Sequence, residues 1–161
     1  MPLTNIKYEN TCFYKLCCND LDITDIYVGH TTDFKSRKTK HKSRCNNTND
    51  RHYNLNVYQF IRAHGGFDNW SMILIDRLAV ADGLEAKKRE RIYLTTLGAT
   101  LNMTIPSRNN SEYYLDNREC ILAKKKVSSV CACGGKYTYG SKSKHDHTLK
   151  HQKYLNSLTT E

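Results

Sequence analysis

Residues 11–18 read TCFYKLCC, residues 19–22 read NDLD, and residues 25–29 read DIYVG. The outer two segments are rich in aromatic and small apolar side chains, the composition of strands. The polar tetrapeptide between them reads as a turn. Two strands this close in the chain predict an antiparallel hairpin. Beyond it, Thr32-Asp33 is placed to cap a helix running to about Cys45. A second helix is expected from about Asn54 to His64, stopped by Gly65-Gly66. Trp70 to Leu78 reads as a third strand. Asp82-x-x-Glu85 forms a capping box, and its helix continues to Leu97 before Gly98. The order β-β-α-α-β-α predicts an α/β chain of the α+β kind, a small and mainly antiparallel sheet flanked by helices.

The bulk properties bound what such a chain does. Its 161 residues fit one compact domain, or one with a small appendage. A formal charge of +9, from 25 Lys and Arg against 16 Asp and Glu, suits a polyanionic partner, most simply nucleic acid. The N-terminal stretch MPLTNIKYEN is polar, without the apolar core of a signal peptide. The longest clean apolar run, Met72 to Ile75, is far too short to span a bilayer. A soluble, intracellular protein with no membrane partner is expected. Seven unevenly spaced cysteines make no disulfide framework, so they read as free thiols or metal ligands.

Two helical faces carry chemistry. At 3.6 residues per turn, Ala86, Glu90, Tyr93, Leu94 and Leu97 share one stripe after Asp82, with Glu85, Arg89 and Ile92 on another side. Glu90 therefore points at the sheet. A carboxylate there needs a partner, either a basic side chain or a metal ion. In the helix after Asp33, Phe34, Lys38, His41 and Cys45 fall on one side. Arg37 sits at its edge, one turn before His41. The planar fork of an arginine so placed could clamp a phosphate. The other basic residues of this helix, with no acid among them, read as a solvated face that attracts nucleic acid.

These residues resemble the GIY-YIG nucleases. Cys12-Phe13-Tyr14 and Tyr27-Val28-Gly29 are similar to the paired signature. The likeness continues through His30-Thr31-x-Asp33-Phe34-x-x-Arg37-x-x-x-His41, resumes at Arg89-Glu90-x-x-Tyr93-Leu94, and closes at Leu101-Asn102. Cys12 and Phe13 stand where the first motif has Gly-Ile, and Val28 stands for Ile. The resemblance implies a three-stranded antiparallel sheet over a nuclease domain of residues 11–104. It implies that Tyr14 or Tyr27 takes the proton of the attacking water and that Arg37 stabilises charge on the phosphate. It also implies that Glu90 holds Mg²⁺ (or Mn²⁺), that His41 lies near the active site, and that Asn102 closes it. His30 is a possible accessory residue for binding or proton relay.

From about Asn109 to Ser129 the composition turns polar and lysine-rich, so residues 105–129 read as a linker or a solvated helix. Residues 130–155 form a separate module. Cys131-x-Cys133 with His145 and His151 is a Cys₂His₂ set for Zn²⁺, although His147 with His151 is also a permitted pair. Gly134-Gly135 turns the chain, Tyr137 and Tyr139 begin a returning strand, and Ser143 to Leu155 forms one helix bearing the histidines. A segment this short has too little apolar material to fold without a staple. Cys-x-Cys-Gly with His145-x-x-Thr148-x-x-His151 resembles small zinc fingers of large DNA viruses, which would place the protein in a host cytoplasm or nucleus. The expectation is a divalent-metal-dependent endonuclease acting on DNA, with a zinc finger as a second DNA contact. A catalytically silent zinc-dependent nucleic-acid-binding protein is the contrasting reading, and RNA stays open as a substrate.

Overall fold

The computed structural model describes residues 7–158. The first six residues of the polar stretch read for a targeting signal lie outside the described residues. No helix among the described residues is long and apolar enough to cross a membrane. The chain divides into two compact units between Ser107 and Arg108.

The first unit contains β1 (Thr11–Cys18), β2 (Ile26–Thr31), α1 (Phe34–Asn46), α2 (Asn56–Ala63), β3 (Trp70–Leu78) and α3 (Gly83–Thr96). Its sheet has the order β2-β1-β3 with both pairings antiparallel. The central strand is covered on both faces, so Thr11 to Tyr14, Leu16 and Cys18 are all buried. Tyr14, Leu16 and Cys18 pack with Cys45, Tyr58, Ile61, Trp70 and Met72 on one side. Phe13 packs with Val80 and Ala86 on the other. Between Phe13 and Tyr14 the register with β3 slips by one residue, from Asp76 to Leu74. Such a bulge twists the strand locally and re-aims the side chains on either side of it.

The helix ends follow the capping chemistry. The Asp33 carboxylate accepts from Ser36 N at 2.9 Å, and Asp82 accepts from Leu84 N and Glu85 N. The Glu85 carboxylate reaches back past the cap to accept from Ala81 N at 2.7 Å. After α2, Gly65 has φ +87°, and a Cβ there would meet the Asn69 side chain at 2.8 Å, so this turn requires glycine. The α3 stripe needs correction at its end, while the α1 face divides as expected between buried and solvated residues. Leu97 lies past α3 as its C-terminal cap and is 39 % exposed, because the helix has ended and Gly98, at φ +62°, turns the chain away. Lys38 is exposed, while His41 and Cys45 of the same helix are buried.

The second unit contains α4 (Asn110–Lys126), β4 (Ser128–Val130), β5 (Lys136–Thr138), α5 (Lys142–Asp146) and α6 (Leu149–Leu158). The segment expected as a linker or solvated helix is largely α4, opened by an Asn109–Glu112 capping box. The single helix expected over Ser143 to Leu155 is instead two. At the break Thr148 bonds back to the His145 carbonyl through both its amide and its hydroxyl, side-chain competition of the kind that interrupts helices. Tyr137 lies in β5 as expected, but Tyr139 falls in the following turn and is 96 % exposed. Among the described residues of this unit only His145 is buried.

Phe13 is fully buried and its ring lies 5.2 Å from that of Tyr93, so it joins β1 to α3. Phe13→Ala is expected to cost about 3–5 kcal/mol of stability, read as a shift of the urea midpoint at unchanged slope. A loss under about 1 kcal/mol would show that α3 docks without this ring.

Candidate active site and metal centre

Tyr14 is carried by the central strand, directly opposite Gly29 of β2. A Cβ at Gly29 would lie 2.7 Å from the Tyr14 hydroxyl oxygen and 3.1 Å from Tyr27 Cε1. The absence of a side chain there is therefore a packing requirement, since Tyr14 occupies that space. Tyr27, two residues earlier on the same strand, shares the face of Gly29. Its ring centroid is 6.4 Å from that of Tyr14 and 5.8 Å from that of His41.

Helix α1 brings two groups onto the Tyr14 hydroxyl. Arg37 donates from Nε at 2.8 Å, and His41 Nε2 lies at 2.8 Å. Burial and the nearby Arg37 and Arg44 push His41 down to about 3, so its imidazole is neutral at neutral pH. Burial raises the pKa of both Tyr14 and Tyr27 above the usual phenol range, with Arg37 pulling each the other way. Both are phenols at neutral pH, and their ionisation depends on hydrogen-bond donors at the oxygen.

Helix α3 supplies the carboxylate. Glu90 is 8 % exposed and hydrogen-bonded through Oε2 to His30 Nδ1. The partner demanded by a buried carboxylate is thus a histidine from β2. A cleft of about 650 Å³ opens over this pair, lined on its polar side by Tyr27, His30, Lys87, Glu90 and Asn102. Its apolar wall includes Leu55, Val57, Leu101 and Met103. A second cleft of about 290 Å³ is lined by His30, Thr31, Ser36, Arg37 and Lys40. His30 lines both clefts. Asn102 does its work on the backbone: its Oδ1 accepts from Val28 N at 2.9 Å and its Nδ2 donates to Val28 O at 2.8 Å. One side-chain amide thereby completes the free edge of β2 between Tyr27 and Gly29.

A model of the GIY-YIG catalytic domain matches residues 10–102, more than half of the chain. The chain belongs to the GIY-YIG family. Comparison with curated proteins and with solved structures returned no match. In this GIY-YIG domain the Cys12-Phe13 departure has a place in the packing. Phe13 points to the α3 side and is wholly buried, and Cys12 is nearly so. Two neighbours of the GIY-YIG residues were missed by sequence reasoning. Lys87, one turn before Glu90, lines the cleft, and nothing in its own spacing singles it out from the other basic residues of α3. Tyr58 is buried with its hydroxyl 3.0 Å from His41 Nδ1. Its signal was a tyrosine beside Val57 and Ile61 on the apolar stripe of α2, where a buried hydroxyl needs a partner.

The second unit brings Cys131, Cys133, His145 and His151 together, with ligand atoms all within 4.8 Å of one another. Cys131 Sγ lies 3.4 Å from His151 Nδ1, and Cys133 Sγ 3.4 Å from His145 Nε2. The backbone shapes the cysteine loop: Gly134 N donates to Cys131 O and Cys131 N to Gly135 O, both at 2.8 Å. A Cβ at Gly135 would stand 2.5 Å from the His145 ring, so glycine lets the histidine reach the cysteines. Tyr137 stacks on His145 at 5.2 Å. His147 turns away to the Ser143 carbonyl at 2.7 Å and is exposed, which leaves His145 as the histidine of the cluster with His151.

Gly29→Ala is expected to displace the Tyr14 ring, lower nuclease activity on the order of 10²-fold and destabilise the fold by about 1–3 kcal/mol. A variant that cuts at the wild-type rate would show that the Tyr14 hydroxyl need not sit against Gly29.

Proposed function

We propose that the protein is a divalent-metal-dependent endonuclease that hydrolyses phosphodiester bonds in DNA. The observation that carries this reading is the convergence, within one GIY-YIG domain, of Tyr27, His30 and Glu90 on one cleft and of His30 and Arg37 on a second, with Arg37 and His41 meeting at the Tyr14 hydroxyl. Hydrolysis needs an activated water and neutralisation of charge on the phosphoryl oxygens. One of the two tyrosines takes the proton of the attacking water. Arg37, already oriented by Tyr14, presents the rest of its guanidinium as a fork for a phosphate oxygen. Lys40 and Lys87 draw the strand into the two clefts. His30 orients the Glu90 carboxylate, and Asn102 holds the strand that carries Tyr27, Gly29 and His30.

The metal assignment rests on the donor set. Mg²⁺ is commonly held by one or two carboxylates with water and phosphate oxygens completing its shell. Glu90, a single carboxylate at the wall of an open cleft, is suited to hold Mg²⁺ or Mn²⁺ in that way. When bound, such an ion neutralises charge on the phosphate and the leaving oxygen.

The Cys131, Cys133, His145 and His151 cluster is proposed to hold Zn²⁺. Tetrahedral zinc with its usual bond lengths places a thiolate and an imidazole nitrogen about 3.5 Å apart, in keeping with the two separations of 3.4 Å. Residues 130–155 are then a zinc finger that adds a second DNA contact through the exposed Lys136, Lys144, Lys150 and Lys153, with residues 105–129 joining it to a nuclease domain of 11–104. The likeness of its Cys and His spacing to viral fingers supports the same reading.

Glu90→Ala is expected to abolish nicking of supercoiled plasmid in Mg²⁺ or Mn²⁺ while DNA binding stays near wild type; near-normal cutting by this variant would end the metal assignment. Denatured full-length protein is expected to release close to one Zn²⁺ per chain, and a chain ending at about residue 110 none. Truncation or zinc removal should weaken DNA binding and flatten the slope of log K against log salt by about 0.9 per lost phosphate contact. Equal slopes for the two forms would mean that the finger does not touch DNA.

A further inference from the structure

The cleft over Glu90 and His30 has an apolar wall for which phosphodiester hydrolysis has no use. Leu55 enters it from the start of α2, and Leu101, Met103, Ile105 and Pro106 enter it from the segment after α3. Met103 is 72 % exposed and Leu55 40 %, so apolar surface stays in water beside charged groups, at a cost that burial in the core would avoid. The second cleft, which shares His30, is lined by polar side chains alone, Arg37 and Lys40 among them. The apolar wall therefore belongs to the cleft that holds the carboxylate.

The backbone holds this wall in place. Its segment starts on the edge of β2, where Leu101 N donates to Ile26 O and the Asn102 amide bonds Val28 through both its atoms. Every residue from Leu101 to Ser107 then lines the cleft. Pro106 fixes its own backbone angle, and Ser107 sits at φ +53°, a left-handed conformation that residues other than glycine rarely adopt. The cleft volume of about 650 Å³ falls in the range of roughly 300–1,000 Å³ that holds small organic ligands.

A nucleic acid offers two chemistries, anionic phosphates and flat apolar base faces. With a phosphate at the polar side of the cleft, the next group within reach of the wall is a base, one sugar away. In a B-form duplex the base faces are covered by stacking and the edges lie in grooves about 7.5–8.5 Å deep, so a wall beside the scissile phosphate meets no base face. A base that has left the stack exposes both faces, and apolar side chains are among the groups that take it. Lys87 in the same cleft supplies a cation for the phosphate of that nucleotide, a complement that an apolar peptide lacks. We propose that the wall formed by Leu55, Leu101, Met103, Ile105 and Pro106 binds one unstacked nucleobase of the strand being cut, so that the protein prefers DNA in which the nucleotide at the cut is unpaired. This rests on the nuclease reading above and gives it a substrate class.

The test gives the full-length chain a fully paired duplex and the same duplex with one unpaired nucleotide. Nicking beside the unpaired nucleotide is expected on the order of tenfold faster than nicking of the paired duplex, the scale of one stacked base. In a metal-free mixture, an unpaired 5-iododeoxyuridine is expected to photo-cross-link to Leu55 or to residues 101–106, mapped by mass spectrometry. Leu55→Ser combined with Met103→Ser, which shortens two exposed side chains, should bring the ratio of the two rates close to one and remove the cross-link. Equal wild-type rates on the two DNAs overturn the proposal. So does a cross-link that maps elsewhere, or a doubly substituted chain that keeps the ratio. A wild-type dimer in sedimentation that the double substitution turns into a monomer overturns it too, since the wall would then be an interface between copies. A wild type that cuts neither DNA overturns the nuclease reading instead, and the metal-free cross-link still decides whether the wall takes a base.

Discussion

A phenol ring laid over a glycine organises the first unit. Tyr14 and Gly29 face each other across β1 and β2, and the missing side chain on one strand is the space taken by the ring of the other. With the ring placed there, its hydroxyl sits where α1 passes, so Arg37 and His41 meet at a single oxygen. A buried hydroxyl is costly without partners, and here both partners are long side chains of one helix whose pitch sets them side by side. The same constraint reaches α2, because His41 has a second nitrogen to satisfy and Tyr58 satisfies it.

The other half of the site depends on the edge of the sheet. An edge strand exposes unpaired backbone groups, and β2 carries Tyr27, Gly29 and His30 on such an edge. The Asn102 amide supplies the N–H and C=O that a fourth strand would supply at Val28, and Leu101 N donates to Ile26 O. The segment after α3 therefore holds the strand without covering it, which keeps a cleft open over Glu90 and His30.

The two units are stabilised by different physics. The first buries a continuous set of apolar side chains on both faces of β1. The second buries only one described residue, the histidine His145, and leaves Leu115, Val127, Val130 and Leu149 well exposed. Hydrophobic burial on that scale does not hold a fold of this size. Four ligand atoms gathered within 4.8 Å are what the second unit has in place of a core.

Element order, strand content and the helix caps were legible in the sequence because they depend on local chemistry. Asp33 and Asp82 cap helices wherever they precede them, Gly65 is needed by its own turn, and the stripe through Ala86 and Glu90 follows from helical pitch. The nuclease-family residues were legible for the same reason, since their spacing is fixed along single strands and helices. The structure corrected what depends on where an element ends: Leu97 lies past the end of α3, and the last predicted helix breaks at Thr148. It also decided every relation between distant segments. The pairing of Glu90 with His30, the hold of Asn102 on Val28 and the contact of Tyr58 with His41 join residues 17 to 74 positions apart. No periodicity records such contacts. They exist because the sheet register and helix packing bring these polar groups within reach of one another.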